Sequence, residues 1–166
     1  MLVKEIKAND YLTKSNLPAS DYVINPYIGC THGCKYCYAS FMKRFTGHKE
    51  DWGDFVDIKL CDKKINLNKI SKKSVFLSSV TDCYNQLEEK YKLTRHILEQ
   101  IVNSDCYLSI STKSKLILRD IDLLKQIKNL SVSMSINTLD ENFRSDMDNA
   151  STIAERLDTL KKLHDN

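Results

Sequence analysis

No run of this sequence approaches the length of apolar residues needed to span a bilayer. Met1 to Asp10 carries Lys4, Glu5, Lys7 and Asp10 where a secretory leader needs an apolar core, so a cytoplasmic location and no membrane contact are expected. An excess of one charge sign is also missing. The 25 Lys and Arg against 22 Asp and Glu leave +3, scattered along the chain with short clusters at Lys72-Lys73 and Lys161-Lys162. That distribution reads as a solvated surface rather than a nucleic-acid patch. Glycine is scarce, and all four (Gly29, Gly33, Gly47, Gly53) fall in or just beyond one segment. A second cysteine pair is absent too: Cys30, Cys34 and Cys37 crowd together, whereas Cys61, Cys83 and Cys106 stand alone and read as small core hydrophobes. In a reducing compartment these six are not expected to form disulfides.

The chain's 166 residues, 42% of them apolar, suit one domain with a sizeable core. From Val75 onward, β-rich runs alternate with amphipathic ones. Val75 to Val80 reads as a strand, followed by helical spacing of Leu87, Tyr91, Ile97, Leu98 and Ile101. Cys106 to Thr112 is the next strand, and Asp120 is placed to cap a helix bearing Ile121, Leu124 and Ile127. Ser131 to Asn137 reads as a strand before a helix opened by a Thr152/Glu155 capping box, with Ile153, Leu157, Leu160 and Leu163 as its apolar stripe. Upstream, Tyr22 to Ile24 is a short strand, the cysteine loop follows, and Lys35 to Phe45 is the expected helix. Phe55 to Leu60 reads as an extended excursion and Leu67 to Ile70 as part of a helix. The fold class is therefore α/β, with a parallel sheet and right-handed crossovers. Residues 1–20 are an N-terminal extension and 21–166 the domain.

Two strands carry a second face of small polar residues: Ser131, Ser133, Ser135 and Asn137 in one, Ser109, Ser111 and Lys113 in the other. A packed barrel interior favours Val, Ile and Leu instead, so the expectation is an interior shaped for a polar ligand, with Lys113 and Asp82 at strand C-termini supplying charge. Three thiolates select a soft or borderline metal. A structural zinc site needs a fourth ligand, which His32 or His48 would have to supply, and His32 is expected to face outward. A cubane cluster is satisfied by three nearby cysteines, leaving one iron open. Gly29 and Gly33 are expected to let the backbone fold tightly around such a cluster.

The spacing Cys-x3-Cys-x2-Cys, with Tyr36 before the last cysteine, resembles the radical S-adenosylmethionine (SAM) superfamily. Asn25-Pro-Tyr through Cys37-Tyr-Ala, Thr81-Asp82, Thr112-Lys113-Ser114, Leu118-Arg119-Asp120 and Ser135 to Asp140 are similar to its branch related to spore photoproduct lyase, the DNA repair photolyase-like proteins. The resemblance implies a partial (β/α) barrel of about four βα units, truncated against the larger barrels of relatives. It implies that Cys30, Cys34 and Cys37 hold a [4Fe-4S] cluster, and that Tyr36, Asp82, Lys113, Ser135 and Asn137 border SAM. It further implies reductive cleavage of SAM to a 5'-deoxyadenosyl radical, an external flavodoxin- or ferredoxin-type electron donor, a nucleic-acid substrate in some members, and a homo-oligomer that completes the barrel. Cys83 stands where similar sequences carry Pro, and is read as structural. The competing reading is a zinc-stabilised, non-catalytic nucleic-acid-binding module.

Overall fold

A computed structural model describes residues 1–166. β1 (Leu2–Lys7) and β2 (Leu12–Lys14) precede β3 (Tyr22–Ile24) and β4 (Tyr27–Gly29), and a 3-10 helix spans Tyr38–Phe45. Next come β5 (Phe55–Leu60), α1 (Leu67–Ile70), β6 (Ser74–Leu77), α2 (Glu88–Tyr91), α3 (Leu93–Ile101) and β7 (Tyr107–Thr112). A 3-10 segment Lys115–Asp120 leads to α4 (Ile121–Leu124), β8 (Leu130–Met134), α5 (Glu141–Met147) and α6 (Ile153–His164).

The main sheet has the order β2-β3-β6-β7-β8, and β3, β6, β7 and β8 are mutually parallel. Chain order and spatial order coincide along these four strands, as expected when each crossover returns to the next position. Under the sheet, Ile24, Val75, Leu77, Leu108 and Ile110 pack with Ile97, Leu98 and Ile101 of α3 and Ile117 and Leu124, all at most 3% exposed. The alternation of each strand sends Phe76, Ser109 and Ser111 to the opposite face, which is only half-buried.

The Phe55 to Leu60 excursion is the centre of a second sheet, β1-β5-β4. Residues before Asp21 contribute a strand to each sheet, β1 against β5 and β2 against β3. β4 runs directly into the cysteine loop, so this small sheet holds that loop from behind.

Several local expectations shift. The helix after the cysteines begins at Tyr38 rather than Lys35 and is 3-10 throughout, because the loop keeps its own backbone until Cys37. Asp120 starts α4 without capping it: its fully buried carboxylate is taken by Arg95 at 3.0 Å and Arg119 at 2.7 Å. The capping box of α6 is present with both hydrogen bonds, but its buried face is Ile153, Arg156 and Thr159, while Leu157 and Leu160 are 46% and 43% exposed. β8 ends the sheet, so no strand lies beyond it to cover those leucines. No helix is long and apolar enough to cross a membrane.

Candidate functional site

Two glycines fix the path into the site. Gly29 has φ +88°, and a Cβ there would stand 2.2 Å from the Phe55 carbonyl oxygen, so only glycine brings β4 this close to β5. Gly33, at φ +53°, presents its Cα to Gly53, where an added Cβ would approach to 3.0 Å. The loop is then tied down from three sides. Thr81 donates to the Gly29 carbonyl at 2.6 Å, the Gln86 amide donates to Thr31 Oγ1 at 3.1 Å, and the Lys35 amide donates to the Met147 carbonyl at 2.9 Å. The Asn149 amide reaches the His32 carbonyl at 2.8 Å.

So held, Cys30, Cys34 and Cys37 line a single cavity at the C-terminal ends of the parallel strands, where α/β sheets place their ligands. Tyr36, Thr81, Asp82, Ser111, Thr112, Lys113 and Ser135 share that lining. Of the residues expected to border SAM, Tyr36, Asp82, Lys113 and Ser135 are therefore gathered in one place. Asn137 lies exposed beyond the end of β8 and is not on the cavity wall.

Asp82 is the joint of this wall. Its carboxylate accepts from Thr112 Oγ1 at 2.8 Å, the Lys113 amide at 2.9 Å and the Tyr84 amide at 2.9 Å, with His32 Nδ1 at 3.3 Å. Complete burial works to raise this carboxyl, but His32 and the amides of Lys113 and Tyr84 hold it below the ordinary carboxylate value. His32 is accordingly turned inward, 3% exposed, against the expectation that it faces solvent. Burial alone would lower its ring; the Cys30 sulfur and Asp82 instead push it up to about 10.

Lys113 extends over the Tyr36 ring, with Nζ 5.6 Å from the centroid, and forms no ion pair, so it presents a positive charge inside the cavity. Burial, with Cys34 and Asp148, pushes the Tyr36 hydroxyl up to about 12, so it stays protonated and donates to Asp148 at 3.2 Å. Burial likewise pushes the Cys34 thiol up to about 12, with Lys113 pulling the other way.

Sequence reasoning overlooks the node behind this wall. Arg156 is fully buried and donates to Asp148 at 2.5 Å, the Ser151 carbonyl at 2.7 Å and the Ser135 carbonyl at 3.1 Å. Asp148 in turn holds Tyr36, so one charge pair joins the end of β8 to the cysteine loop. The clue was an arginine three residues after Ile153, on the face of α6 that a helical repeat turns inward. Tyr38 was also missed: it lines the cavity and its hydroxyl donates to the Ser79 carbonyl.

The donor set suits an iron–sulfur cluster: three cysteine thiolates line one cavity. No group of three His, Cys, Asp or Glu side chains is arranged to hold one metal ion. Cysteines bound to a cubane grip different irons and need not converge on one point.

Comparison with known proteins places the chain among relatives. The chain is 40% identical over 163 residues to an uncharacterized protein of Methanocaldococcus jannaschii, covering 98% of this chain and 62% of that one. It is 32% identical over 154 residues to an uncharacterized protein of Acidianus two-tailed virus, covering 85% and 50%. It thus spans between half and two thirds of these relatives. Among solved structures, a spore photoproduct lyase variant with bound AdoMet and dinucleoside spore photoproduct superposes with a TM-score of 0.69 at 17% identity, covering 98% of this chain and 47% of that one. The fold is shared with it. A family profile described as the Radical SAM superfamily matches residues 24–166, and the chain belongs to that superfamily.

Proposed function

We propose that this protein is the core of a radical SAM enzyme. Cys30, Cys34 and Cys37 hold a [4Fe-4S] cluster by three thiolates, and SAM lies against Tyr36, Asp82, Lys113 and Ser135. When bound, this pair supplies one-electron reductive cleavage of the sulfonium and a 5'-deoxyadenosyl radical, which abstracts hydrogen from a substrate. The chain's own residues bind and orient. The Lys113 ammonium attracts the SAM carboxylate, the Tyr36 ring offers an apolar edge to the adenine, and Ser135 supplies a hydroxyl at the end of β8. Asp82 keeps the β6 and β7 ends in register through Thr112 and the Lys113 amide, which fixes where the Lys113 side chain starts. Asn137, exposed beyond the end of β8, stands outside this set.

The observation that carries this reading is the convergence of three cysteines and a polar strand-end wall on one cavity, in a chain that the family profile matches. Anaerobic reconstitution with iron and sulfide, followed by assay for 5'-deoxyadenosine and methionine under strong reductant, tests it. A brown protein that releases both supports the reading; a colourless one overturns it. The same assay on a longer form tests how much of the whole protein's turnover resides in this portion.

A further inference from the structure

Lys113 is held at both ends. Its backbone amide donates to Asp82 at 2.9 Å, and its ammonium lies over the Tyr36 ring, 5.6 Å from the centroid. That ring is 42% exposed, so packing alone does not fix its orientation. What ties its outer end is one hydrogen bond, from the hydroxyl to Asp148 Oδ2 at 3.2 Å.

Asp148 has no freedom to follow a moving ring. It is 3% exposed, and its two oxygens are divided between tasks: Oδ1 accepts from Arg156 at 2.5 Å and from the Ala150 amide at 3.1 Å, whereas Oδ2 faces Tyr36. Its backbone carbonyl accepts from Arg144 at 2.9 Å. On either side of it in the chain, the Met147 carbonyl and the Asn149 amide bond to the cysteine loop at Lys35 and His32, at 2.9 and 2.8 Å. The turn between α5 and α6 is thus a fixed anchor beside the cavity, and Asp148 itself is not on the cavity wall.

We propose that Asp148 is a positioning residue for SAM binding that acts through Tyr36; the proposal rests on the radical SAM reading above. Arg156 orients Asp148, Asp148 orients the Tyr36 ring, and the ring carries the Lys113 ammonium that meets the SAM carboxylate. A residue of α6 therefore sets where the cavity's unpaired cation waits. A lysine and an aromatic ring already ordered before the ligand arrives lose less conformational freedom when it binds, so this line acts on affinity. It does little for folding at its Tyr36 end, because a hydrogen bond from a part-exposed hydroxyl is readily exchanged for one to water.

The experiment measures the SAM dissociation constant of the anaerobically reconstituted parent, Tyr36→Phe, Asp148→Asn and the double variant by equilibrium dialysis with radiolabelled SAM. Iron content and thermal unfolding midpoints are recorded alongside. Tyr36→Phe keeps the ring and removes only the tether, and is expected to bind SAM about fivefold more weakly at the parent's iron content and midpoint. Asp148→Asn is expected to weaken SAM binding by a similar factor and also to lower the midpoint, since Arg156 loses its charged partner. The double variant is expected to bind no more weakly than Asp148→Asn alone. Losses that multiply in the double variant would show Asp148 acting other than through Tyr36, and overturn the proposal. Parent-like affinity in Tyr36→Phe overturns it too, even where Asp148→Asn does not fold, and leaves the radical SAM reading standing. A parent that takes up no cluster or binds no SAM overturns the underlying reading, and the positioning role with it.

Discussion

Gly29 leaves no room for a side chain, and the site depends on that. The Cβ of Gly29→Ala would meet a backbone carbonyl rather than a movable side chain, at a positive φ that alanine resists. We expect a loss of about 3 kcal/mol in denaturant unfolding, and poorer cluster uptake because the loop is displaced. Asp82→Asn replaces an acceptor-only carboxylate, which serves three donors and faces His32, with a group that turns an N–H toward one of them. The expected cost is about 2–3 kcal/mol, and a loss under 1 would show that the wall does not hang on this side chain. At this scale the sequence was informative where local chemistry decides: the cysteines, Tyr36, Asp82, Lys113 and Ser135, singled out by motif, strand position and resemblance, line one cavity. His32 was misread because its orientation depends on Asp82, fifty residues away, which no local pattern reveals.

Elements were legible where a single periodicity dominates and obscured where long-range charge intrudes. The parallel order of β3, β6, β7 and β8 followed from strands alternating with helical runs, and the α6 capping box from a four-residue motif. The helix cap assigned to Asp120 failed because Arg95 and Arg119 consume its carboxylate, together with Glu88, in one buried network. The stripe of α6 was rotated by Arg156, whose pairing with Asp148 outweighs exposing part of two leucines. Arg156→Ala removes one partner of a buried ion pair and frees the Ser135 and Ser151 carbonyls, so a loss of about 3–5 kcal/mol is expected in chemical unfolding. Arg156→Lys recovers part of this, since a lysine cannot span three acceptors with a planar fork. Equal stability of the alanine variant and the parent would refute the clasp.

For the molecule as a whole, several carboxyls are held below their ordinary values by partners in the fold: Asp10 by Lys63, Glu141 by the Ile153 amide and Arg144, Glu155 by Lys115 and the Thr152 amide, and Asp82 as described. A carboxyl depressed in the folded state stabilises above its unfolded value and loses that contribution as pH falls through the folded one. Unfolding midpoints should therefore hold above about pH 5 and drop progressively below about pH 4. A flat profile down to about pH 3 would contradict these pairings. Along the other margin, the sheet ends at β8, and Leu157 and Leu160 stand half-exposed beside an apolar groove that includes Leu130, Val132 and Leu163. This open side was legible in the count of strand–helix units. The second sheet was not legible, because the whole cysteine-bearing segment separates β1 from β5 in the chain and neither run signals its partner. The central claim remains that three sulfurs enclose a cluster with one iron left open for SAM. Its most direct test is Mössbauer and EPR spectroscopy of the anaerobically reconstituted protein with and without SAM. The account predicts a [4Fe-4S] signal that shifts when SAM is added and vanishes in Cys34→Ala; one bound zinc with no sulfide, or a cluster signal indifferent to SAM, would contradict it.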